Sequence, residues 1–169
     1  PQKAQACLED KETIQYFASQ YFNAKDMYFI GRNVDYAASL EASLKLKEIS
    51  YIHSEAYTGG ELKHGPISLI EEGTLVIAIC TYEQLFDKMM ANIREVKARG
   101  AVVLGITTED LRQRLAQETD YQFCVPKTAD FMLPSMSILP LQLFAYYVAS
   151  MKGCDIDKPR NLAKSVTVE

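Results

Sequence analysis

The sequence predicts a three-layer α/β/α sandwich around a parallel sheet, and three observations carry that expectation. Short apolar runs without alternation, at residues 27–30, 74–80, 102–106 and 121–125, have the composition of strands buried on both faces. Helical patterns lie between these runs, and each right-handed crossover between parallel strands lays its helix over the sheet. The 169 residues, 48% hydrophobic and 24% charged, suffice for one core and leave no room for a second domain of similar size.

Taken in order, Ile14, Phe17 and Tyr21 recur at helical spacing, which predicts a first helix closed by Asn23 in a left-handed cap, followed by strand 27–30. From residue 35 to 57 the pattern is again helical, rich in Ala, Leu, Lys and Glu and free of Gly and Pro until Thr58-Gly59-Gly60 interrupts it. One long helix is expected there, with His53 inside it as a packing or surface residue. Strand 74–80, a charged amphipathic helix over 84–99 stopped by Gly100, strand 102–106, an N-cap at Thr107 or Thr108 and strand 121–125 complete the alternation.

Residues 131–151 hold no charge and match a membrane span in length, but Pro134, Pro140, Gln142 and three serines interrupt the apolar character. A short turn and then a fully buried core helix from about Pro140 is the expectation. From residue 158 the chain reads as an extended tail, so the predicted organisation is one domain over 1–157 and a tail over 158–169.

A formal charge of -4 and a pI near 5.3 argue against a nucleic-acid footprint and against a polybasic membrane surface. Cys7, Cys80, Cys124 and Cys154 are scattered with no C-x-x-C pair, which fits a reducing, cytoplasmic compartment. His53 and His64 are the only histidines, so no metal site is expected. Gly31-Arg32-Asn33 offers one glycine where a dinucleotide fold needs G-x-G-x-x-G, and no G-x-x-x-x-G-K-[ST] occurs, so no cofactor is expected. The loop Thr81-Tyr82-Glu83-Gln84 is poor in the Gly and Ser that build a phosphate nest.

Three places can carry chemistry. Glu41, Lys45 and Glu48 fall at i, i+4 and i+7 and stack on one helical face, either as a solvated ion-pair stripe or as a carboxylate and an ammonium poised to move protons on a carbonyl substrate. Gly59-Gly60-Glu61-Leu62-Lys63-His64-Gly65-Pro66 places a histidine on a glycine-flanked loop, as a satisfied turn residue or as a general acid or base. The tail from Arg160 to Glu169 is either a frayed terminus or a segment whose Lys164 closes over a pocket and forms a Schiff base with a ketose carbonyl.

The run Glu41-Ala42-Ser43-Leu44-Lys45-Leu46-Lys47-Glu48-Ile49-Ser50-Tyr51-Ile52-His53, then Gly60-Glu61-Leu62-Lys63-His64-Gly65-Pro66, then Pro159 to Glu169 with its ending Asn-Leu-Ala-Lys-Ser-Val-Thr-Val-Glu, resembles the glutamine:fructose-6-phosphate aminotransferase family. The similarity runs along essentially the whole chain and points to the second of that family's two sugar isomerase (SIS) halves. It implies a five-stranded parallel sheet. Against the family pattern, Asn33 stands where glycine is usual and Glu41-Ala42-Ser43 where Glu-Gly-Ala is usual. Cys7 does not match the family's glutaminase nucleophile, and the Ser/Thr-rich loop that holds the sugar phosphate in the first half is absent.

By that resemblance, Lys164 forms the Schiff base with open-chain fructose 6-phosphate, Glu48 shuttles the proton between C1 and C2, Lys45 assists near the sugar hydroxyls and His64 opens the ring. Glu41 and Ala163 are the implied substrate-binding residues. In the family the histidine reaches the neighbouring subunit's site, so a homodimer is implied, with ammonia drawn from glutamine hydrolysed elsewhere in the full enzyme. The chain alone is then expected to be inactive, with no nucleic-acid or membrane partner. Two other readings stay open: a phosphosugar-sensing SIS module without turnover, and a segment serving dimerisation and support.

Overall fold

Five strands line up side by side, all parallel, in a computed structural model that describes residues 1–160. They are β1 (Asp26–Gly31), β2 (His53–Thr58), β3 (Leu75–Ile79), β4 (Val102–Thr108) and β5 (Tyr121–Val125), in the spatial order β2-β1-β3-β4-β5. The helices are α1 (Gln2–Ala6), α2 (Lys11–Tyr21), α3 (Val34–Ser50), α4 (Phe86–Lys97), α5 (Arg112–Leu115) and α6 (Leu133–Met151).

Successive strand residues face opposite sides, so one sequence feeds two cores. Met27 and Phe29 join Leu75, Ile77, Leu104 and Phe123 under α2, α3 and α6. Tyr28 and Ile30 join Val76, Ala78 and Val103 under α4 and α5. With both faces covered there is no solvated side to alternate against, which is why the apolar runs signalled strands. Gly31 ends β1 against the first turn of α3, where a Cβ would lie 2.4 Å from the Asp35 carbonyl oxygen. Strand order reverses between β1 and β3, and the carboxyl ends of those strands open the crevice where folds of this class take ligands.

Three expectations need correction. The long helix ends at Ser50: Tyr51 takes the left-handed conformation (φ 60°) and residues 53–58 become β2, pairing in register from Asp26 with His53 to Gly31 with Thr58. His53 is therefore an exposed residue on an edge strand, with Nδ1 2.8 Å from Asp26 Oδ1. The strand escaped detection because an edge strand needs few apolar residues, and His-Ser-Glu-Ala-Tyr-Thr is no more strand-like than helical. Asn23 makes no left-handed cap; Phe22 closes α2 in right-handed geometry.

The third concerns α6, which starts at Leu133, well before Pro140. Pro134 sits in its first turn, where a missing N–H is harmless, and Pro140 is accommodated inside the helix. It is also not fully buried. Residues 130–151 are long and apolar enough to cross a membrane by length and composition, yet Met136, Leu141, Phe144 and Val148 pack into the core while Phe131 and Tyr146 are exposed. The alternation expected elsewhere holds with shorter bounds: α4 begins after a 3-10 turn at Glu83–Leu85, and Gly100, at φ 87°, ends that segment.

Candidate active site

The buried stripe of α3 is Asp35, Ala38, Ser39, Ala42, Ser43, Leu46 and Ser50, small side chains at i, i+3 and i+4 spacing that let the helix lie close to the sheet and to α6. Glu41, Lys45 and Glu48 are thereby turned to the opposite, partly solvated side. Lys45 Nζ donates to Glu48 Oε2 at 2.8 Å and lies 3.7 Å from Glu41 Oε1. The hydrogen bond to Glu48, reinforced by the charges of both carboxylates and opposed by partial burial, raises the Lys45 pKa above its usual value. The ammonium is thus charged at neutral pH and oriented by two acidic neighbours.

Glu48 also lines a surface cleft of about 570 Å³ together with Leu44, Tyr51, Ser54, Glu55 and Arg160. Arg160 reaches the cleft from the far end of the chain. Its backbone N–H donates to the Tyr51 hydroxyl at 3.0 Å, and its guanidinium carbon lies 3.9 Å from the centre of the Tyr51 ring. The residue just past the helix therefore receives the start of the tail within one turn of Glu48. Lys164 and Ala163 lie outside the described residues.

His64 is not brought to this cleft. Glu48 is in the last turn of α3, which leads into the amino end of β2, whereas His64 closes the 3-10 turn Gly59–His64 that follows the carboxyl end of β2. The six-residue strand alone separates the two by about 16 Å at ~3.3 Å per residue. Within one chain, Glu48 and His64 therefore lie toward opposite ends of the sheet.

The crevice end holds a feature the sequence reading missed. Asp35, 1% exposed at the start of α3, accepts hydrogen bonds from the Thr81 and Tyr82 N–H groups at 2.9 and 3.0 Å and from the Thr81 hydroxyl at 2.5 Å. The loop after β3 does gather donors suited to an anion, but the chain's own carboxylate occupies them. Burial pushes the Asp35 pKa up, against those hydrogen bonds, which pull it down. Its signal in the sequence was an acidic residue falling on the apolar stripe of α3. Tyr51 left no comparable signal. Among the described residues, no group of three or more His, Cys, Asp or Glu is placed to hold a metal ion.

Residues 20–152 match the SIS domain family. Over all 169 residues the chain is 57% identical to the glutamine--fructose-6-phosphate aminotransferase (isomerizing) of Clostridium tetani and 56% identical to that of Clostridium acetobutylicum, and it spans 28% of the length of each. Among solved structures, the C-terminal domain of glucosamine-fructose-6-phosphate aminotransferase from Francisella tularensis matches with a TM-score of 0.87 at 34% identity, covering 90% of this chain and 43% of that one.

Proposed function

The chain belongs to the SIS domain family, and from that premise we propose that it is the second SIS half of a glutamine:fructose-6-phosphate aminotransferase. The reading rests on the docking of Arg160 against Tyr51 beside Glu48, in a chain similar over its whole length to two such aminotransferases. Arg160 itself lines the cleft, which supports a chain that continues toward it.

In this mechanism His64, supplied by a second copy in a homodimer, opens the sugar ring. The Lys164 amine adds to the C2 carbonyl of open-chain fructose 6-phosphate and, with loss of water, forms a Schiff base. Ammonia from glutamine displaces the lysine, and Glu48 takes a proton from C1 and returns one to C2, so the ketose-derived imine becomes the aldose amine with no net redox change. Lys45 holds Glu48 and faces the sugar hydroxyls, and Glu41 and Ala163 bind substrate. One carboxylate on a rigid helix suffices for a proton shift between adjacent carbons. The domain extends over 1–157, and the tail over 158–169 closes on the site.

Asp35 weighs against the sensing alternative, because it fills the donors at the crevice that a free sugar phosphate would use. By itself the 169-residue chain forms no amino sugar. The four free thiols, two of them buried, suit a reducing, cytoplasmic location.

Glu48→Gln in the full-length polypeptide tests the reading. Isomerisation is expected to fall at least about a hundredfold, the low end of what a placed general base contributes. Glutamine hydrolysis should fall much less, and Glu41→Gln should cost less than Glu48→Gln. Full isomerisation by Glu48→Gln would overturn it.

A further inference from the structure

We propose that Arg32, Asn92, Glu95 and Lys63 form a positioning relay that sets the loop carrying His64; the inference rests on the ring-opening role given to His64 above. A six-residue 3-10 turn such as Gly59–His64 is longer than this geometry usually sustains, so side chains must hold it. Leu62 anchors it in the core, and the rest of the support comes from one connected set of polar groups.

Asn92 is the centre of that set. It is 5% exposed on α4, on a face otherwise made of Phe86, Met89, Met90, Ile93 and Val96. A buried amide on an apolar face is costly unless both ends are paired. Both are: Oδ1 accepts from Arg32 Nε at 3.0 Å, and Nδ2 donates to Glu95 Oε2 at 3.3 Å. Glu95 Oε1 in turn meets Lys63 Nζ at 2.8 Å, the residue immediately before His64.

The same side chains close on the start of the turn. A Cβ at Gly59 would lie 2.4 Å from Asn92 Oδ1, and one at Gly60 would lie 3.3 Å from Arg32 Nη1. The turn is thus gripped at 59 and 60 by Asn92 and Arg32, and at 63 through Glu95. None of the contacts made by these four side chains is to the His64 side chain, which is exposed. They fix where its backbone sits, and an exposed histidine that must enter a site built on another subunit depends on that placement more than one held by local contacts.

The test uses the full-length polypeptide and two substrates: fructose 6-phosphate, which is mostly cyclic, and 5-deoxyfructose 6-phosphate, which lacks the hydroxyl that closes the ring and is always open. His64→Ala is the reference and should lose turnover on the cyclic substrate only. Asn92→Ala is expected to lower kcat for fructose 6-phosphate about tenfold with KM little changed, while the open-chain substrate stays within about twofold of wild type. Lys63→Ala, which removes a side chain 66% exposed to solvent, should show the same pattern with a smaller loss. Equal losses on both substrates, or no loss on the cyclic one in either variant, would overturn the relay. A His64→Ala variant that does not distinguish the substrates would overturn the ring-opening assignment itself, and the relay with it.

Discussion

Arg160 is bound to Tyr51 twice, by a guanidinium over the aromatic ring at 3.9 Å and by a backbone N–H to the hydroxyl at 3.0 Å. Tyr51 is also the left-handed residue that closes α3, so the helix bearing Glu48 ends on the residue that receives Arg160. The two contacts contribute about 1 kcal/mol each. Tyr51→Asn removes both while tolerating positive φ. In the full-length polypeptide it should lower kcat about five- to thirtyfold, and Tyr51→Phe should lower it less, because only the hydroxyl is lost. Steady-state kinetics with a melting curve checks this; unchanged kcat in Tyr51→Asn would detach the tail docking from the chemistry.

Asn33 caps α3 at φ 53° and ψ -123°, backbone that a side chain resists. Asn33→Gly should therefore raise stability by about 1 kcal/mol, seen as a higher urea midpoint with the same slope. A lower midpoint would mean that the asparagine side chain stabilises the cap by more than the backbone strain costs.

Asp35 should distinguish sharply between two substitutions. Asp35→Ala leaves two N–H groups and a hydroxyl without their partner and should cost about 3–5 kcal/mol. Asp35→Asn can still accept from the amides and donate to Thr81, and should stay within about 1 kcal/mol of wild type near neutral pH. Because burial raises the carboxyl above its ordinary 3.8, the folded chain keeps a proton that the unfolded chain has shed in the window just above 3.8. Unfolding free energy then falls as pH rises through that window, so wild type should gain on Asp35→Asn as pH drops from about 7 toward 4. Denaturant titrations across that range check the sign, and parallel curves for the two proteins would refute it.

The separation of Glu48 from His64 predicts complementation. Glu48→Gln and His64→Ala are each expected to be nearly inactive, but mixed one to one after dissociation, half the dimers carry one of each. In those, one of the two sites combines an intact Glu48 with its neighbour's intact His64. About a quarter of wild-type activity should return. No recovery, with mixed dimers demonstrated by mass, would place both residues in a site made by one chain.

How much of this was legible follows from where each element gets its stability. β1, β3 and β4 are buried on both faces and could be read from Met27, Ile77 and Leu104 and their neighbours, because burial leaves only apolar choices. β2 could not, since an edge strand in a mixed polar sequence is held by its ladder to β1, a long-range partnership that no local window contains. The Glu41, Lys45 and Glu48 stripe was visible from spacing alone, and the fold brings the three side chains together as read. Spacing alone left open whether the stripe is a mere ion-pair face, and it could not show that Tyr51 and Arg160, 109 residues apart, meet in a cleft beside Glu48. Asp35 was the reverse case: legible as an acid on a buried stripe, and overlooked because that stripe is made of Ala and Ser rather than Leu.

α3 joins two distant features. Asp35 is clamped to the loop after β3, and Glu48, the base proposed above, lies about 20 Å further along the helix at 1.5 Å per residue. Over that arm a tilt of about 3° swings the carboxylate by about 1 Å, a misplacement large enough to cost a reaction about a hundredfold in rate. On the role proposed for Glu48, a change that loosens the clamp on Asp35 enough to tilt α3 is expected to register as lost turnover at the opposite rim of the sheet before the protein melts.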